Sequence, residues 1–264
     1  MINQHPKVSI VTPSYNQGQF IEGNIQSVLN QKYPNIEHII IDGSSTDGTI
    51  DILKKYDHLK WISEPDNGQA DAINKGFNSA TGEIIAWLNS DDYYCQGVFS
   101  QIANYFVNNI DIMWIYGNSY FVDKSGNVIS YKRPVQFNNF VLKYGSFSIH
   151  QPTVFLKYQI FEEIGEIRKD FHAIMDQEWY CRIAEKYKPK YINLDVANFR
   201  WHYNSKSSSG KDSNHNKNLI RERKILMKRY ANKLSPIIDT APILTFICFN
   251  LVARFIKMYL RIKN

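Results

Sequence analysis

The sequence predicts an α/β protein with a mostly parallel sheet flanked by helices. Three observations predict it. Between Val8 and Leu88, short β-branched runs alternate with helical patterns through four strands. Each run is followed by a cluster of polar residues, and open parallel sheets hold their ligands at that edge. At 264 residues, 44% hydrophobic and 21% charged, the chain has the size and composition of one globular domain with an appendage.

Residues 8–12 form the first strand, expected to stop at Pro13. Residues 19–30 read as a helix, with Phe20, Ile21, Ile25, Val28 and Leu29 on or near one face. Residues 36–41 are the second strand, stopped at Asp42-Gly43. Residues 46–56 form a short helix that Ser45 or Thr46 is placed to cap. A third strand covers residues 59–62. The helix over 69–80 carries Ala70, Ile73, Phe77 and Ala80 at helical spacing, and the fourth strand, 83–88, runs straight into Asn89-Ser-Asp-Asp92. The second half is less regular. Residues 112–116, 119–122 and 153–156 are strand-like, 124–127 form a turn, and 176–186 read as a helix with Trp179 and Ile183 one turn apart. Residues 204–218, rich in Ser, Asn and Lys, read as a loop or linker.

Residues 243–262 are apolar except for Thr245, Asn250, Arg254, Lys257 and Arg261. The last four share one helical face, opposite Ile247, Leu251, Phe255, Met258 and Ile262. The apolar run is broken too soon for a spanning helix of about 20 residues. A basic amphipathic helix lying in a membrane interface fits, as does a helix packed on the domain with its cations facing water.

Charge points the same way. The net +6 comes from residues 219–264, which hold ten Lys/Arg and two Asp/Glu, while the remainder holds 21 and 23. A nucleic-acid surface on the body is excluded by that balance, and a tail that meets something anionic is favoured. Cys95, Cys181 and Cys248 form no CxxC pair, so neither a zinc knuckle nor a disulfide framework is expected, and a reducing compartment fits. The N-terminus has no signal-peptide pattern.

Four polar clusters meet at one sheet edge: Thr12-Pro-Ser-Tyr-Asn16, Asp42-Gly-Ser-Ser-Thr-Asp47, Ser63-Glu-Pro-Asp-Asn-Gly68 and Asn89-Ser-Asp-Asp92. Carboxylates gathered there repel unless a cation or a ring of donors compensates them. Hard oxygen ligands select Mg²⁺ or Mn²⁺ over zinc. Asp91 and Asp92 are adjacent, so in a turn one can reach a metal and the other a ligand hydroxyl.

These blocks resemble family-2 glycosyltransferases of the GT-A fold, of the bacterial surface-polysaccharide type. The resemblance rests on Val8-Ser-Ile-Val-Thr-Pro-Ser-Tyr-Asn16, Ile40-Ile-Asp-Gly-Ser-Ser-Thr-Asp-Gly-Thr49, Ser63-Glu-Pro-Asp-Asn-Gly-Gln-Ala-Asp-Ala-Ile-Asn-Lys-Gly76 and Ala80-Thr-Gly-Glu-Ile-Ile-Ala-Trp-Leu-Asn-Ser-Asp-Asp92. It is close over residues 7–93, looser to residue 205, and does not reach the tail. It implies that Asp42 accepts a hydrogen bond from the nucleotide base, as suits uracil N3–H. Pro13, Tyr15 and Asn16 then flank base and ribose, and Asp71 faces the donor. Asn89 stands where the family's DxD-type motif opens with Asp, and still offers a hydrogen bond to a hydroxyl. Asp91 is expected on the donor, and Asp92, with His202, on Mn²⁺ or Mg²⁺. Asp176 follows Met175 where the family has Glu, and is the expected catalytic base, with Glu178 as the next candidate.

The resemblance thus implies an inverting glycosyltransferase. It would move a sugar from a nucleotide-diphosphate donor, UDP-linked by the fit of Asp42, to a hydroxyl of a saccharide or lipid-linked saccharide, in polysaccharide assembly such as O-antigen. The expected organisation is a GT-A domain over 1–215, with a nucleotide-sugar half (1–93) and an acceptor half (94–215), and a basic helical tail over 216–264. The expected place is the cytoplasm, peripheral at the inner face of the plasma membrane. A dehydrogenase needs GxGxxG after the first strand and a P-loop NTPase needs GxxxxGK[ST]; the sequence has neither. A non-catalytic nucleotide-sugar-binding module is the alternative. It would keep Asp42 and Asp92 and dispense with a base, so Asp176 argues against it.

Overall fold

The computed structural model describes residues 5–144, 149–203, 205, 213–230 and 242–262. β1 (Val8–Ser14), β2 (Ile36–Asp42), β3 (Leu59–Ser63) and β4 (Ile84–Trp87) pair in parallel in the order β3-β2-β1-β4. α1 (Ile21–Leu29), α2 (Thr49–Leu53) and α3 (Gln69–Ser79) connect them. β1 is buried along its whole length, as a β-branched-rich strand covered on both faces is. It does not stop at Pro13. Pairing with β2 continues to Ser14↔Asp42, whereas pairing with β4 ends at Val11↔Trp87. The missing N–H of Pro13 points to the side where the ladder has already ended, so it costs no bond. α3 lies against β1 because residue 76 is glycine: a Cβ there would stand 2.3 Å from Val11 Cγ1.

Two local expectations change. Leu29, placed on the buried face of α1, is 44% exposed. α2 starts only at Thr49, after Gly48 at φ 88, with neither Ser45 nor Thr46 as its cap. Ser45 is bonded to Asp42 instead.

The second half adds β5 (Tyr93–Tyr94), α4 (Val98–Asn108), β6 (Trp114–Val122), β7 (Val128–Lys132), α5 (Asn139–Tyr144), β8 (Phe155–Lys157), α6 (Tyr158–Ile164), α7 (Met175–Lys186) and β9 (Lys190–Arg200). The sheet continues β4-β8-β6-β9-β5, with β7 on β6. β8 runs antiparallel to both its neighbours, and β6 and β9 are parallel. The parallel character is therefore concentrated in the first half. The two strand-like segments at 112–122 are one strand, and residues 151–153 form a 3₁₀ turn before β8.

α7 is locked in place by aromatic packing. Trp179 stacks on Phe77 at 5.8 Å and meets Trp87 at 5.8 Å, while Tyr180 packs on Trp114 at 5.5 Å. Such pairs add about 0.5–1.5 kcal/mol each beyond their burial. α7 thereby gains a fixed pose over the end of β4.

α8 (Ser213–Tyr230) begins inside the stretch read as a linker; residues 204 and 206–212 of that stretch lie outside the described residues. Leu226 of α8 joins the same core as Trp179 and Ile183. α9 (Pro242–Ile262) lies on α5, with Phe249 4.7 Å from Tyr144 and 5.8 Å from Phe140. Its inward face carries buried Ala253 and half-buried Asn250 and Lys257. Ile247, Leu251, Phe255 and Met258 face outward with Arg254 and Arg261. The tail is thus a packed helix, but its apolar stripe, not its whole polar face, is what solvent meets. Among the described residues, no helix is long and apolar enough to cross a membrane.

Candidate active site

A cavity of about 700 Å³ opens at the carboxyl ends of β1 and β4, between the loop after β3 and the first turn of α7. Of the residues expected at the site, Pro13, Tyr15, Asn89, Asp91 and Asp176 line it. Asn16, Asp42, Asp71, Asp92 and His202 stand behind that lining.

On the nucleotide side, Tyr15 presents an exposed ring and Asp66 lies across from it. The loops after β1, β2 and β3 meet at Gly43, where a Cβ would stand 2.8 Å from Asp66 Oδ2 and 3.4 Å from the Tyr15 ring. Asn16, at φ 51, ties two of these loops: its N–H donates to Ser45 Oγ at 2.7 Å and its Oδ1 accepts from Thr46 N at 2.8 Å. Asp42 is fully buried and accepts from Ser45 N (2.8 Å), Ser45 Oγ (2.5 Å) and Ser63 Oγ (2.8 Å). Asp71 pairs with Lys169 at 2.7 Å and accepts from Asn67 N at 3.0 Å. The Lys169 hydrogen bond holds its carboxyl below the usual range, and Asp71 supports the loop that carries Asp66.

At the centre, Asn89 is held from both sides. Gln69 Nε2 donates to its Oδ1 at 2.7 Å, and its own Nδ2 donates to Gln151 Oε1 at 3.2 Å. An aspartate could not make the second bond, which gives the departure from the family pattern a structural use. Asp91 and Asp92 point to opposite sides of the chain. Asp91 reaches the cavity, and its Oδ2 lies 3.1 Å from His202 Nε2. Asp92 turns into the interior, where its Oδ1 accepts from Arg200 N at 2.8 Å. The reason is chain direction: β5 begins at once after Asp92 and pairs with β9, so the side chain meets the β9 backbone. Burial and the neighbouring Asp91 push the Asp92 carboxyl well above the usual carboxylate range.

On the far side, Asp176 sits in the first turn of α7, its Oδ1 accepting from Gln177 N at 2.8 Å. The loop before it is gripped by Glu222 of α8, whose carboxylate accepts from His172 N (2.8 Å), Ala173 N (2.8 Å) and Ile174 N (3.0 Å). Glu178, the fallback base, is buried away from the cavity with Arg182 Nε at 3.0 Å from both its oxygens. A carboxylate so engaged is structural.

Sequence reasoning missed Gln69, Gln151, His150, Phe121, Phe199 and Trp201, all of which line the cavity. Phe199 belongs to the end of β9, and Trp201 directly follows that strand. Its signal was present, since Ile192, Leu194 and Val196 alternate with Asn193 and Asp195. Among the described residues, no three His, Cys, Asp or Glu side chains gather as a metal-binding group. Asp91 and His202 nevertheless offer one hard oxygen and one imidazole nitrogen within reach of each other. That set suits Mn²⁺ or Mg²⁺ when phosphate oxygens complete the shell.

The family model for glycosyl transferase family 2 matches residues 9–165. A Bacillus subtilis protein described as a teichuronic acid biosynthesis glycosyltransferase, TuaG, is 45% identical over 98 residues, 35% of this chain and 38% of that protein. An uncharacterized glycosyltransferase of Haemophilus influenzae is 38% identical over 129 residues, 47% of this chain and 51% of that protein. The matched part is thus well under two thirds of either relative. Among solved structures, S. aureus TarS in complex with UDP-GlcNAc superposes with a TM-score of 0.64 at 18% identity, over 84% of this chain and 66% of that one. The mannosyltransferase PcManGT from Pyrobaculum calidifontis, in complex with GDP-Man and Mn²⁺, gives a TM-score of 0.59 at 17% identity, over 97% and 81%. With its sheet order, its cavity at the strand ends and a family match over more than half its length, the chain belongs to glycosyl transferase family 2 and has the GT-A fold.

Proposed function

We propose that this chain transfers a glycosyl group from a UDP-sugar to a hydroxyl of a saccharide or lipid-linked saccharide, with inversion, during assembly of a bacterial surface polysaccharide. The observation that carries the reading is that Asp176 and Asp91, the latter paired with His202, enter one cavity from different elements. A base and a diphosphate-binding group are what direct displacement at an anomeric carbon requires. The match to TuaG supports the polysaccharide class, and the UDP-GlcNAc held by TarS supports the donor class.

Tyr15 offers its ring to the base, and Asp42, buried behind Ser45 and Ser63, would reach uracil N3–H only once those side chains move aside. Asp91 and His202 would hold Mn²⁺ or Mg²⁺, which when bound offsets the charge of the diphosphate. Gln69 and Gln151 fix Asn89 for a donor hydroxyl. Asp176 accepts the acceptor's proton as that oxygen attacks, and the helix N-terminus favours its ionised form. Attack opposite the leaving diphosphate inverts the centre without a covalent enzyme intermediate. The outward stripe of α9, flanked by Arg254 and Arg261, would rest on the cytoplasmic face of the membrane, where a lipid-linked acceptor is presented.

UDP release from a panel of UDP-sugars with Mn²⁺ and lipid-linked saccharides tests the reading. Turnover is expected, and Asp176→Asn should lower it about a hundredfold with UDP affinity unchanged. UDP binding without turnover under every condition would instead support a binding module.

A further inference from the structure

The cavity has a wall that the donor chemistry does not use. Phe121 of β6 and Phe199 of β9 are register partners on adjacent parallel strands, with ring centroids 4.8 Å apart. Trp201 follows Phe199 by two residues and so projects on the same side. Its N–H donates to Val122 O at 2.8 Å, and its ring lies 6.4 Å from Phe121 and 6.5 Å from Phe199. Trp201 remains 42% exposed although all three line the cavity. A tryptophan held by its backbone and left open to a cavity presents a flat, electron-rich face. The C–H groups of a pyranose ring carry the complementary partial charge.

The wall lies far from the nucleotide end. β6 is three strands from β1 in the order β1-β4-β8-β6. At about 4.8 Å per strand that is roughly 14 Å, with Asn89 and Asp91 between. A ring on the wall is therefore not the base stacked on Tyr15.

The rim of the wall is cationic. Lys132 Nζ lies 5.2 Å from the Phe121 centroid, and His150 packs on the same ring at 5.2 Å. Ser119 Oγ holds His150 Nδ1 at 2.6 Å. Burial holds the His150 imidazole down at about 4, and the charge of Lys132 beside the shared Phe121 ring adds to that. We propose that the Phe121–Phe199–Trp201 wall is the acceptor subsite, and that it takes a pyranose ring carrying an anionic group, carboxylate or phosphate, directed to Lys132. This rests on the glycosyltransferase reading above and narrows its acceptor.

Methyl β-glucuronide, glucose 1-phosphate and neutral methyl β-glucoside, titrated with UDP and Mn²⁺ present and followed by ligand-observed NMR, test it. At least one of the anionic probes should bind about fivefold tighter than the neutral glycoside, and which one does so separates carboxylate from phosphate. Lys132→Ala should erase that preference and keep the neutral binding. Trp201→Ala should weaken every probe about tenfold or more. Equal binding of charged and neutral probes, displacement by UDP, or no probe binding to protein that does bind UDP overturns the subsite. Failure to bind UDP at all would instead count against the donor reading.

Discussion

Asp91 and Asp92 are chain neighbours in opposite environments, one facing the cavity beside His202 and the other bonded to the backbone of Arg200. Their variants should differ accordingly. Asp91→Asn is expected to cost about tenfold or more in Mn²⁺-dependent UDP affinity, because a charged ligand is lost. Asp92→Asn keeps an acceptor for Arg200 N, so calorimetric UDP affinity should stay within about threefold of wild type. The opposite ranking would return the cation to Asp92. At the other end of the sheet, Glu37 is a structural carboxylate. Its buried side chain accepts from Ser9 Oγ (2.5 Å), Lys60 Nζ (2.5 Å), Lys7 Nζ (3.2 Å), Thr81 N (2.9 Å) and Thr81 Oγ1 (3.0 Å). Burial alone would raise its pKa, but the bonds from Lys60, Ser9 and Thr81 outweigh it and hold the carboxyl at about 2. The folded value lies below the ordinary carboxylate value of about 4.3, so its stabilisation is full above that pH. It is lost as pH falls toward 2. Urea melts should therefore show Glu37→Gln less stable than wild type at pH 7, with the gap roughly halved at pH 3 and closing only below pH 2. A pH-independent gap would mean that the charge contributes nothing.

α8 shows how an element remote in sequence builds the site. Glu222 satisfies three backbone N–H groups immediately before α7, so this helix sets the approach of Asp176. Glu222→Gln keeps the shape but exchanges an acceptor oxygen for an NH₂ facing donors. About 2–3 kcal/mol of stability should be lost, since a buried charged acceptor is removed from its donors. kcat should fall with UDP affinity retained; an unchanged kcat would mean that the loop holds its shape unaided. Such a role was not legible. Glu222 lies between Arg221 and Arg223, and in that company a carboxylate reads as part of a solvated helix face. The parallel half of the sheet was legible because burial on both faces favours β-branched-rich segments such as Val8–Thr12 of β1 and Ile39–Ile41 of β2. Its turns were less so. Ser45 offered itself as a helix cap, and only the fold reveals the competing carboxylate of Asp42. β9 escaped although its alternation was readable, because Asn193, Asp195 and Asn198 interrupt its apolar residues. Trp201, which follows β9 directly, was lost with it.

For the whole molecule, the decisive contrast is between the two faces of α9. One face is committed: Phe249 meets Phe140 and Tyr144, and Ala253 is buried. The other leaves Leu251, Phe255 and Met258 about half exposed or more, in one stripe with Ile247. An exposed apolar stripe of this length would suit an interaction surface, and Arg254 and Arg261 beside it would suit an anionic partner. A bilayer of anionic lipid supplies both the apolar depth and the charge. Each cation near such a surface contributes on the order of 1 kcal/mol, and salt weakens that share without touching the apolar one. The test must spare the packed face, because deleting the helix would also uncover Phe140 and Tyr144. Leu251→Asn, Phe255→Asn and Met258→Asn together change only outward side chains, so the melting temperature should hold. Wild type should sediment with phosphatidylglycerol vesicles and much less with phosphatidylcholine vesicles, and raising salt should release part of it. The triple variant should stay in the supernatant at low salt and still transfer to a soluble acceptor. If wild type ignores both vesicles, or the triple variant sediments as well as wild type, the stripe does not serve a membrane. If wild type instead sediments in the centrifuge as a dimer that the three substitutions dissolve, the stripe is covered by a second copy of the chain.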